Sequence, residues 1–137
     1  MSSSVFASLK RFKDVQVIWM GAYPDLHTYK SSETGNTHGT ALAVCTGLEK
    51  EHWASRISLP TLGFDRISLV GLRGQIDKAE EEIIKKNKIR KLESVAKVID
   101  FIKKTDAPFH ISFDVSALDP EVLNSTGNWV DGGMETE

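Results

Sequence analysis

Asp25, His27 and His38 share one short polar segment, and Asp114 and Asp119 share another. Carboxylates and imidazoles ligate divalent cations, and imidazole also carries protons near neutral pH. A bound dication lowers the pKa of its water enough to make hydroxide at neutral pH. Metal-assisted hydrolysis is therefore the chemistry these side chains could serve. Asp25, His27, His38 and Asp114 would supply an open mononuclear site if the fold brought them together. No pair of ligands at i,i+3 or i,i+4 spacing enforces that meeting, so His27 and His38 read first as exposed loop histidines.

Both polar segments begin where a strand ends. Val15 to Met20 is an apolar, β-branched run, the pattern of a strand buried on both faces, and it breaks at Gly21. Phe109 to Val115 is a second strand, running into the turn at Asp119-Pro120. Ligands of open α/β sheets bind outside the carboxyl ends of the strands, which is where both segments fall. A third strand spans Asp65 to Leu72. Helices are expected over 3–13, Thr40 to Leu48, Ile76 to Lys88 and Leu92 to Lys104. In the third of these, Glu80 to Glu82 precede a group of lysines, an order that suits the helix dipole and reads as a solvated face. In the fourth, Leu92, Val95, Ala96, Ile99 and Ile102 form one apolar stripe. Glu49 to Leu62 reads as a loop crossing the sheet face with a short helical piece, and 124–137 carries no predicted element. Trp19 and Trp53 read as packing residues, and His110 as a structural histidine. Helices alternating with three strands indicate an α/β domain with a mostly parallel sheet.

A chain of 137 residues fits one domain. Its net charge of −2 argues against a nucleic-acid or membrane partner selected by bulk electrostatics. Cys45 is the one cysteine, which allows no internal disulfide, and no apolar run approaches a membrane span. The basic, Ser-rich start reads as a short amphipathic helix rather than a targeting peptide. A cytoplasmic location is the resulting expectation.

Three motifs carry a family resemblance. Gly21-Ala22-Tyr23-Pro24-Asp25, then Gly35-Asn36-Thr37-His38-Gly39, then Ser112-Phe113-Asp114-Val115-Ser116-Ala117-Leu118-Asp119-Pro120 occur in the order of three motifs of the arginase (ureohydrolase) family. The family's versions read Asp-Ala-His-x-Asp, Gly-Asn-x-His-Gly and Ser-Phe-Asp-Val-Asp-x-Leu-Asp-Pro. The likeness runs from about Val15 to Gly133. It implies a partial α/β/α sandwich with a mostly parallel sheet. Residues 1–137 would then be a single partial domain, without the front segment bearing a Gly-Gly-Asp-His motif and without the last strands and helices. A family strand between Ile83 and Leu92 would have little room.

The resemblance also implies a reaction, the hydrolysis of L-arginine to ornithine and urea by two bridged manganese ions. Carried over by position, the bridging Asp of the first motif is Gly21 and the His ligand is Tyr23, while Asp25 survives as a ligand. Asp114 holds the place of a bridging Asp, and Ser116 replaces its companion. His38 takes the proton-shuttle position. Thr34 and Asn36 match positions that contact the amino acid substrate, and His27 stands where the family has Asn. Asp77 and Glu80 fall near the acids that bind the substrate ammonium, but Gly74 and Ile76 stand where acids are expected, so neither receives a firm role. Asp25 and Asp114 alone cannot offset the charge of two dications. The expectation is an impaired or inactive hydrolase with no metal, or one weakly held divalent ion. A regulatory subunit that pairs with a complete arginase-like protein is the first alternative, and a residual mononuclear hydrolase the second. The implied partners are a small amino acid and a further subunit in a homo- or hetero-oligomer.

Overall fold

Val17, Ile18 and Trp19 have no solvent exposure, as a strand covered on both faces requires. They belong to β1 (Gln16–Met20), which pairs in parallel with β2 (Ile67–Val70) on one side and β4 (Phe109–Phe113) on the other. A short β3 (Arg90–Leu92) extends the sheet beyond β2, giving the order β3-β2-β1-β4 with every pairing parallel. The structure, a computed structural model, describes residues 1–52, 56–125, 127 and 129–135. Trp53 and the middle of the expected crossing loop lie outside the described residues.

Among the described residues, four α-helices flank this sheet: α1 (Ser2–Arg11), α2 (Ala41–Thr46), α3 (Lys78–Lys86) and α4 (Val95–Ile102). Val5, Phe6 and Leu9 of α1, Leu42 and Cys45 of α2 and Ile84 of α3 pack with Val17, Trp19, Ile67 and Leu69 in the larger core. Val98 of α4 packs with Ile18 and Val70 on the other face. The result is the α/β/α layering that the family resemblance implies. Gly47 ends α2 in the left-handed conformation, at a φ of 74°, and donates its N–H to the Val44 carbonyl.

Several expectations need correction. The sheet has four strands, not three, because β3 fits between α3 and α4. Lys88 turns the chain sharply with a φ of 52°, and Ile89 is buried behind it. The strand itself carries Arg90 and Lys91, so it has no apolar signature. Arg90 is accommodated by a hydrogen bond to Ser68 Oγ at 2.9 Å and by stacking on the Phe101 ring at 4.2 Å. The fourth helix therefore begins at Val95, where the Ser94 side chain accepts the Lys97 N–H. Its buried residue is Val98, whereas Val95 and Ile99 of the expected stripe are 48% and 45% exposed.

The final strand is also shorter than expected. Val115 leaves the sheet and begins a 3-10 turn over Val115–Ala117, for which Asp114 is the cap. Ile111 and Phe113 on edge strand β4 are 54% and 50% exposed. Beyond it the chain returns to the sheet end, where Met134 bridges to Leu118. Arg73 holds this return, donating to the carbonyls of Ala117, Leu118, Val130 and Asp131. Among the described residues, no helix is long and apolar enough to cross a membrane.

Candidate functional site

The carboxyl ends of β1, β2 and β4 converge through backbone hydrogen bonds. Gly21 N–H donates to the Val70 carbonyl at 3.0 Å, and Asp114 N–H donates to the Met20 carbonyl at 2.9 Å. This places the segment 21–25 against the segment 114–116. A Cβ on Gly21 would lie 3.3 Å from Asp114 Cβ and 3.5 Å from Ser116 Oγ. Ser116 Oγ is occupied structurally, accepting the buried Ala22 N–H at 3.2 Å. Asp114 Oδ1 accepts the Ser116 N–H at 2.9 Å and closes the turn after β4. Tyr23 turns its ring over Gly74, which has no side chain to obstruct it.

Asp25 is held by its own backbone. Its carbonyl accepts the N–H groups of Leu42 and Ala43 at the start of α2, and its φ of 51° is a left-handed conformation that Asp tolerates better than most residues. Burial pushes its carboxyl pKa up from an ordinary 3.8 to about 7, and the negative charges of Asp114 and Glu80 add to the rise. The indole N–H of Trp19 lies close enough to favour the ionised form slightly. It nevertheless makes no hydrogen bond of ordinary geometry and is otherwise unpartnered in the core. The Asp25 carboxyl is therefore far easier to protonate near neutral pH than an ordinary aspartate.

The loop that follows divides into an exposed and a half-buried part. Thr34, Asn36 and His38 are exposed. Thr34 Oγ1 accepts the Asn36 N–H at 3.2 Å, and Asn36 Oδ1 accepts the His38 N–H at 3.0 Å, capping the 3-10 turn Thr37–Thr40. His38 is thus the loop histidine expected. His27 is not, for its side chain is only 21% exposed. Its backbone N–H donates to the Gly39 carbonyl, and its Nδ1 shares a hydrogen bond with Ser31 Oγ at 3.3 Å. Its Nε2 lies 3.5 Å from both Asp77 Oδ2 and Glu80 Oε2. The two acids come from the first turn of α3, where the Asp77 side chain caps the helix through the Glu80 N–H. Burial pushes the Glu80 carboxyl up, and Asp77 adds to this, while the Leu26 N–H and His27 pull it back.

A cavity of about 640 Å³ opens over these groups. Asp25, Asp114, Thr34, Asn36 and His38 all line it, together with His27, Asp77 and Glu80. Among the described residues, His27, Asp77 and Glu80 are the one set of three ligand-type side chains with donor atoms within 4.8 Å of one another. Neither Asp25 nor Asp114 belongs to such a set. The likeness of Asp77 and Glu80 to a first-turn capping pair, Asp followed three residues later by Glu, was the available signal in the sequence. Nothing in the spacing tied that pair to His27.

Residues 2–137 match the sequence profile of the Arginase family. The chain belongs to the arginase family. It is 31% identical to the arginase of Eremothecium gossypii over 145 aligned residues, and 32% identical to that of Coccidioides immitis over 138. The alignments take in 96% and 89% of this chain but only 36% and 42% of those enzymes. Among solved structures, the Entamoeba histolytica arginase in complex with L-ornithine superposes with a TM-score of 0.85 at 30% identity. That match covers 96% of this chain and 48% of the enzyme. The Bacillus caldovelox arginase superposes at 0.83, with 27% identity and the same coverage. The chain thus spans about two-fifths of the length of these curated relatives. Within that span it keeps the arginase-family sheet, and the motif positions meet at the sheet's carboxyl end.

Proposed function

We propose that this arginase-family chain binds a cationic amino acid without hydrolysing it through a manganese pair. The observation that carries this reading is the make-up of the sheet end. Gly21 offers no ligand atom beside Asp114, Ser116 offers only a neutral hydroxyl that already accepts the Ala22 N–H, and burial with like charge resists ionisation of Asp25. A manganese pair needs several ionised carboxylates and imidazoles around it. The donors here supply too little negative charge and too few free lone pairs, so the residues present do not fit that group.

Binding is a lighter demand. The cavity has room for an arginine-sized molecule, and its wall offers Asp25 and Asp114 as direct partners for a cationic side chain. Thr34 and Asn36 lie on the same cavity and present amide and hydroxyl groups suited to a carboxylate. The structural relative from Entamoeba histolytica was solved with L-ornithine, which names the ligand class to try first. In this reading His38 has no metal-activated water to serve. Calorimetry with L-ornithine and L-arginine, beside a urea-release assay in manganese, tests it. Saturable 1:1 binding without urea is the expected result. Manganese-dependent urea release that disappears in Asp114→Ala would overturn it.

The exposed Ile111 and Phe113 favour a second reading, in which β4 pairs with a strand of a complete family member. An open parallel edge with large apolar side chains is a template for such pairing. A mixed complex with full-length arginase in light scattering is expected from it. A monomer that ignores the enzyme excludes it.

A further inference from the structure

We propose that His27, Asp77 and Glu80 form a mononuclear site for a transition-metal dication of the zinc type. The site is separate from the Asp25 and Asp114 pair, and it uses a histidine where the family resemblance gives Asn. It stands independently of the amino-acid-binding reading above.

The three side chains are spaced as ligands around an ion would be. A direct charge-assisted hydrogen bond between imidazole and carboxylate would hold N and O about 2.7–2.9 Å apart. His27 Nε2 is instead 3.5 Å from Asp77 Oδ2 and 3.5 Å from Glu80 Oε2. Two ligands about 2.1 Å from a tetrahedral ion are separated by roughly 3.4 Å. The two edges that meet at His27 thus match a coordination shell better than a closed ion pair, and the two carboxylate oxygens lie within 4.8 Å of each other.

Each ligand is also fixed by its other polar atom. Asp77 Oδ1 accepts the Glu80 N–H, leaving Oδ2 to face His27. Glu80 Oε1 accepts the Leu26 N–H at 3.0 Å, leaving Oε2 to face His27. The His27 Nδ1 is held by Ser31, which leaves Nε2 as the free ring nitrogen. One atom of every side chain is anchored and the other points at a common centre, the outer-shell arrangement that orients metal ligands. Glu80 is the most buried of the three, its side chain only 3% exposed, and its Oε2 faces the His27 ring nitrogen at 3.5 Å. A buried carboxylate is costly unless it is paired, and a cation at this position would complete that pairing.

Charge and access agree with this. Two carboxylates and a neutral imidazole balance one dication in formal charge, and the cavity gives water or a small ligand the remaining coordination positions. The imidazole favours zinc and its neighbours over magnesium or calcium.

The test uses the full chain, stripped with chelator and titrated with Zn²⁺ and Mg²⁺ by calorimetry. Co²⁺ serves as a spectroscopic probe of the same site. Zinc is expected to bind 1:1 and magnesium at least about tenfold more weakly. His27→Asn and Asp77→Asn, which keeps the helix cap, should each weaken zinc by at least about tenfold, in line with losing a ligand. Asp25→Asn, which removes a neighbouring charge but no ligand, should weaken zinc far less than either ligand variant. Visible Co²⁺ bands should appear in the wild type and vanish in His27→Asn. Absence of zinc binding, or binding that survives both ligand variants, would overturn the proposal. So would binding that is lost in Asp25→Asn instead, which would put the cation at the Asp25 and Asp114 pair. Failure of ornithine binding alone would strike only the amino-acid reading.

Discussion

Asp25→Asn should make the protein more stable at alkaline pH and flatten its pH dependence. The Asp25 carboxyl is pushed from 3.8 to about 7 in the folded chain. A raised acid pKa means that the folded state binds the proton more tightly than the unfolded state does. Its stabilising effect is therefore fully present below about pH 4, and it is lost as pH rises to and through 7. A tenfold change in proton affinity is worth about 1.4 kcal/mol, so the whole loss is on the order of 4 kcal/mol. About 2.5 kcal/mol of it falls between pH 5 and pH 8. Glu80, also raised, acts in the same direction but is common to both proteins, so the difference between them isolates Asp25. Asparagine matches the shape and suits the left-handed backbone at this position. The assay is urea unfolding at a series of pH values, followed by fluorescence, with the wild type and the variant compared at each pH. The stability difference should open by about 2–3 kcal/mol in favour of the variant between pH 5 and 8. Parallel profiles, or a wild type that gains on the variant as pH rises, would refute the reasoning that burial and like charge hold this acid neutral.

Binding of L-ornithine should tighten as pH rises through about 7, because Asp25 must ionise to meet a cation. Calorimetry from about pH 6 to 8.5, bracketing that titration, checks this, and a flat profile contradicts it. Gly21→Asp should destabilise the chain by roughly 1–3 kcal/mol, since its side chain enters within contact distance of Asp114 and adds like charge. Manganese should recover part of that loss, which a thermal shift with and without the metal would read. Arg73→Lys should release the return segment around Val130 and Asp131, because a single ammonium cannot reach the carbonyls that the guanidinium spans. Limited proteolysis should cut that segment faster while the core stays intact, and an unchanged cleavage rate would count against the role given to Arg73.

The strongly patterned elements were readable from residue type alone. Val15 to Met20 announces a doubly buried strand, and the Gly21 break announces the loop. The three motifs lie at one sheet end because both motif-bearing strands run parallel beside each other. What escaped was carried by charge rather than by periodicity. Arg90 and Lys91 form a strand because Ser68 and Phe101 receive Arg90, a contact between distant segments. Val95 and Ile99 looked like core because helical spacing reports an apolar face without saying what covers it. His27 passed for an exposed histidine because its partners Asp77 and Glu80 lie at the distant start of α3, reached only once the sheet is assembled.

The charge and donor set at this sheet end should not hold a pair of manganese ions. Frozen-solution electron paramagnetic resonance of the chain equilibrated with Mn²⁺ tests this most directly. Signals from isolated ions only, free or singly bound, are the expected result. The spectrum of an exchange-coupled manganese pair, abolished in Asp114→Ala, would contradict it.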